Sequence, residues 1–155
     1  RNAVSLLRMV GACFWVGCGW LGGDWICVRV RQHLEDLDKT LQLLRRLEQE
    51  ISCRRAELEL LYRTLCREGL LSPEAGRFQN LSPPESFSAQ EAACFRACVS
   101  GLGRTEAVQE CERLRLYILR FEAFRAESGQ LAQTRVSLSR RLGLGAGLAA
   151  AIFFL

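Results

Sequence analysis

The chain has 155 residues, 49% of them hydrophobic and 25% charged, with a formal net charge of +4. That length and composition suffice for one domain with a modest core. Of its 21 basic and 17 acidic residues, all but Arg1, Arg8 and Asp24 are interspersed through residues 29–141, a poor footprint for a nucleic-acid partner, which needs basic residues clustered on one face.

The N-terminal stretch Leu6–Val28, "LLRMVGACFWVGCGWLGGDWICV", is apolar except for Arg8 and Asp24. About 20 helical residues cross a hydrocarbon core, so this run is long enough to span a bilayer. Arg8 and Asp24 stand near its ends, where a charge can reach the interface. Trp15, Trp20 and Trp25 gather in its second half, as an aromatic belt would. The spacing predicts a membrane anchor over residues 1–28, with Gly17, Trp20 and Gly22 packing against neighbouring helices.

From Val30 the pattern turns amphipathic. Val30, Leu34, Leu37, Leu41, Leu44, Ile51, Leu58, Tyr62 and Leu65 recur at three- and four-residue intervals, with polar gaps at Glu48 and Arg55. This is a heptad seam, and it predicts one long coiled-coil helix over 29–69, with Leu37, Leu44, Ile51 and Leu58 on the seam. Gly69 is placed to cap its C-terminus. Residues 70–87 hold all three prolines, Pro73, Pro83 and Pro84, and are expected to be a Pro/Ser linker.

A second helical arm is expected over 88–129. It starts at a capping box, Ser88 with Glu91. A break is expected near 101–103, "GLG", and a stop at Ser128-Gly129. Its apolar face carries Cys111, Leu114, Ile118 and Phe121. A last segment, 130–155, reads as a helix leading into the uncharged tail Leu142–Leu155. Fourteen helical residues rise about 21 Å, less than a bilayer core, so a partial span is expected. Gly143 and Gly147 offer that tail a small-residue packing face. The fold class is therefore all-α: an N-terminal transmembrane helix, a long antiparallel helical hairpin or coiled coil, and an apolar C-terminal helix or partial span.

Cys53 and Cys66 lie thirteen positions apart, and so do Cys98 and Cys111. Cysteine pairs spaced along two antiparallel helices resemble the coiled-coil-helix-coiled-coil-helix proteins of the mitochondrial intermembrane space, which implies two bridges joining two helices. The interval departs from that family's nine intervening residues. Thirteen steps of about 100° put Cys53 and Cys66 on nearly opposite helix faces, and although the break at 101–103 can reset the second pair, nothing resets the first, which argues against a double staple.

Catalytic chemistry is not legible. His33 is the only histidine, and a triad built on it would use a residue expected to be solvated at a helix start. Zinc would need CxxC-type spacing, and phosphate a GxxxxGK[ST] or GxGxxG loop; neither pattern is present. The expectation is no enzyme, no cofactor, no metal, no nucleic acid and no small-molecule substrate. The expected function is that of a non-catalytic accessory subunit of a large organellar membrane complex, partnered by other subunits and the bilayer. The mitochondrial inner membrane is favoured over the plastid thylakoid. The alternatives are a free-standing membrane-tethered coiled-coil adaptor and a thiol-redox protein.

Overall fold

The computed structural model describes the backbone of residues 2–54 and 58–154. The side chains of 1–9, 12–13, 15–16, 18–23, 53–57, 139–140, 143–144 and 146–155 lie outside the described residues. All regular structure among the described residues is helical. There are α1 (Asn2–Arg54), α2 (Leu58–Arg67), α3 (Ala89–Ser100) and α4 (Ala107–Phe154), with short 3₁₀ turns at Pro73–Ala75 and Phe78–Asn80. Gln32–Ser128 form one compact unit; Arg1–Arg31 with Gly129–Leu155 form another.

In the Gln32–Ser128 unit, α1 and α4 run antiparallel. Asp38 pairs with Arg125, Arg45 with Glu122, and Glu48 with Arg115, so partners descend α4 as α1 is climbed. These exposed pairs fix register and each contributes little. Apolar burial contributes more. Leu37, Leu44, Leu47 and Ile51 of α1 close onto Leu114, Ile118 and Phe121 of α4 in one core. Each fully buried leucine contributes about 2 kcal/mol.

One long helix over 29–69 is not what forms. Arg46 Nη2 lies 3.6 Å from Glu68 Oε1, whereas the same residues on a straight helix would be about 33 Å apart. The chain therefore reverses between α1 and α2, and residues 55–57 lie outside the described residues. A three-four apolar pattern continues equally well through one helix or across two helices that share a core. Leu61, Tyr62 and Leu65 bury α2 against that core. Gly69, at φ +76°, ends it. Leu70 N–H reaches Leu65 O at 3.0 Å and Gly69 N–H reaches Cys66 O at 3.1 Å, the two bonds of a Schellman cap.

The proline-bearing segment is tied down rather than passive. Phe78 is buried and meets Tyr62 edge-on at 5.2 Å. Tyr62 Oη donates to Ser72 O at 2.7 Å, Gln79 Nε2 to Leu102 O at 2.9 Å, and Ser86 Oγ to Asp36 Oδ2 at 2.7 Å. Phe87 packs among Phe95, Phe121 and His33.

The capping box opens α3. Glu91 N–H donates to Ser88 Oγ at 3.3 Å, and Ser88 N–H to Glu91 Oε2 at 2.7 Å. The chain leaves α3 at Gly101 and turns through Gly103 at φ +83° into α4. Ser128-Gly129 does not stop α4, which runs to Phe154. A single interior glycine costs a helix about 1 kcal/mol, too little to end one with helix formers on both sides.

In the unit of Arg1–Arg31 and Gly129–Leu155, Arg29 lies over the Trp25 ring at 4.3 Å. Among the described residues no helix is long and apolar enough to cross a membrane. The transmembrane helix expected from Leu6–Val28 is thus not found there, and many of its side chains lie outside the described residues.

Candidate functional site

The expected seam residues fall in the Gln32–Ser128 core. Leu37, Leu44, Ile51, Cys111, Leu114, Ile118 and Phe121 are buried, and Leu58 is partly buried against them. Gly17 is exposed, and a Cβ there would meet nothing within 4 Å. The side chains at Trp20, Gly22, Gly143 and Gly147 lie outside the described residues.

What the sequence did not separate is the face of α4 that is left exposed among the described residues. Val108, Leu116 and Leu119 are 68%, 69% and 61% exposed. They fall within about 80° of one another around the helix. Core and outer face share the same three-four spacing, so periodicity alone cannot tell which leucine points inward. In the other unit Val10, Phe14, Trp25, Ile26 and Val28 are likewise exposed. Exposed apolar side chains gathered along a helix mark a surface suited to protein or lipid.

His33 is not the solvated residue expected. Its side chain is 21% exposed, with Nε2 3.3 Å from both Glu91 Oε1 and Ser128 Oγ. A hydrolytic triad needs the carboxylate on one ring nitrogen and the hydroxyl on the other. Here both approach Nε2, and Nδ1 is buried without a partner among the described residues. The other oxygen of Glu91 accepts from Ser88 N–H, which makes this carboxylate part of a helix cap. Nothing in this geometry activates Ser128 for attack.

A second buried polar cluster closes the α3–α4 turn. Glu110, 3% exposed, accepts from Arg113 Nη2 and from Thr105 Oγ1, each at 2.6 Å. Arg113 Nη2 also donates to Cys98 O at 3.3 Å, so the guanidinium serves an end carbonyl of α3. The network ties two helices together through Arg113 Nη2, while Arg113 Nε is buried without a hydrogen-bond partner among the described residues.

Cys27, Cys66, Cys94, Cys98 and Cys111 are free thiols, so the double staple is not formed at Cys66, Cys98 or Cys111; the side chain of Cys53 lies outside the described residues. Burial pushes the Cys98 thiol up to about 12, and it raises Cys94 and Cys111 as well. Neutral buried thiols are weak nucleophiles and weak metal ligands. Among the described residues no cluster of His, Cys, Asp or Glu could hold a metal ion. No protein-family model, curated protein or solved structure matches the chain.

Proposed function

We propose that this protein is a non-catalytic accessory subunit of a large membrane protein complex, acting by helix packing. The observation that carries the reading is the unpartnered apolar face of α4, at Val108, Leu116 and Leu119. A helix that buries one apolar face in its own core and exposes another is built to be covered.

The membrane setting rests on the sequence of Leu6–Val28 and Leu142–Leu155. In this reading the first run crosses the bilayer, and the second enters it from the side on which the intervening residues lie. Exposed Phe14, Trp25 and Ile26 suit lipid or a neighbouring membrane helix better than water. An organellar energy-transducing membrane is the preferred setting, the mitochondrial inner membrane before the thylakoid. That preference follows from how often small helical subunits occur there, an analogy of protein type.

The test is gentle detergent solubilisation of native membranes, followed by affinity isolation of the tagged full chain. A subunit recovers fixed partners at constant stoichiometry, and Leu116→Glu with Leu119→Glu releases them while helicity is kept. A chain recovered alone, or partners unaffected by the double substitution, contradicts the proposal; recovery alone is the behaviour of a free-standing tether.

A further inference from the structure

The chain from Leu81 to Pro84 passes α3 without regular structure. Between this segment and α3 lies a cleft of about 400 Å³. Its lining includes the apolar Leu81, Pro83 and Val99 and the polar Gln79, Asn80, Ser82, Ser100 and Arg96.

Two kinds of bonding capacity are left unused there. Arg96 is exposed and has no ion pair or hydrogen bond among the described residues. Arg45, Arg46, Arg63, Arg113, Arg115 and Arg125 each meet a carboxylate, whereas Arg96 shares its lack of one with arginines such as Arg67, Arg77 and Arg104 among the described residues. No acidic residue among the described residues lines the cleft, so its cation is uncompensated there. The Ser82 N–H and the Leu81 and Ser82 carbonyls also make no hydrogen bond among the described residues. Leu81 is held extended, at φ −64° and ψ 128°. Free main-chain donors and acceptors on an extended segment can be matched by a second extended backbone. In such a backbone, alternate side chains face the same way. One can then lie on Leu81 and Pro83 while the next but one reaches Arg96.

We propose that this cleft binds an extended acidic segment of another polypeptide. Its backbone pairs with the Ser82 N–H and C=O, an apolar side chain rests on Leu81 and Pro83, and a Glu or Asp carboxylate pairs with Arg96. The unused backbone groups favour a peptide over a small free anion, which would satisfy Arg96 and leave them bare. The site is separate from the α4 face and does not depend on the membrane reading.

The full chain, isotope-labelled in detergent micelles, is titrated with acetyl-Gly-Leu-Gly-Glu-Gly-amide and with its Gln counterpart. Saturable amide shifts are expected at Ser82, Val99 and Ser100, with the Gln peptide roughly tenfold weaker for want of a charge-assisted bond. Arg96→Glu is expected to lose the Glu peptide and to take up the Lys counterpart. Arg96→Gln, which is milder, is expected to lose roughly tenfold in affinity for the Glu peptide. Three outcomes overturn the proposal: no saturable shift, equal binding of the Glu and Gln peptides, or the same shifts from sodium acetate at equal concentration.

Discussion

Replacing Arg113 by Met tests the buried network at the α3–α4 turn. The substitution keeps much of the side-chain volume and deletes the guanidinium. Glu110, 3% exposed, would then keep only the Thr105 hydroxyl, and the end carbonyl Cys98 O would lose its donor. Removing one partner of a fully buried ion pair costs about 3–5 kcal/mol, because the other charge is left without compensation. Arg113 is itself 28% exposed, so water shares its charge and the loss falls at or below the lower end of that range. The expected loss is about 2–3 kcal/mol, a fall of roughly 10–20 °C in Tm for a unit of this size. Combining Arg113→Met with Glu110→Leu removes the orphaned charge as well and should recover to within about 1 kcal/mol of wild type. Reversible urea unfolding of the full chain in micelles, followed by far-ultraviolet circular dichroism, reads all of these. If Arg113→Met costs under about 1 kcal/mol, or the double variant is no better than the single one, the network does not hold the turn.

Gly103→Ala should destabilise by about 1 kcal/mol or more. Its φ of +83° disfavours a side chain, and the new Cβ would stand 2.5 Å from Leu58 Cδ1. Thermal melts of the variant check this. Ser88→Ala should cost about 1 kcal/mol by deleting the acceptor for Glu91 N–H, and hydrogen exchange should show the loss first at the α3 N-terminus. Cys98 holds its proton more tightly in the fold than in the unfolded chain. Its contribution is therefore complete below the ordinary thiol value of 9.0 and is lost as pH rises toward about 12. Cys94 and Cys111 shift the same way, so stability should fall through that window, and Cys98→Ala should flatten the slope. In thiol labelling at pH 8, Cys98 should react after the half-exposed Cys66 and only as the protein unfolds.

Local chemistry was legible in the sequence wherever one residue type does one job. Ser88 with Glu91 and Gly69 marked helix ends because hydroxyl caps and left-handed glycines have few other uses. The "GLG" run marked the α3–α4 turn for the same reason. Relations between distant residues were not legible. The reversal before α2 leaves the three-four pattern intact, so the pattern could not reveal it. His33 reads as solvated from its charged neighbours Glu35 and Asp36, yet Glu91, Phe87 and Ser128 come from elsewhere to half-bury it. Phe78 and Phe87 looked like linker residues because prolines surround them, and they pin that segment to the core. The unpartnered face of α4 was hidden because Leu116 and Leu119 are spaced no differently from Leu114 and Ile118.

In the proposed function, apolar ends hold this chain in a bilayer while its helical unit offers an open face to other polypeptides. Extraction of native membranes with alkaline carbonate puts both halves of that proposal at risk in one experiment. The chain should stay in the membrane pellet and leave it only with detergent, in company with its partners. Release into the carbonate supernatant as a single, unaccompanied chain would contradict the proposal.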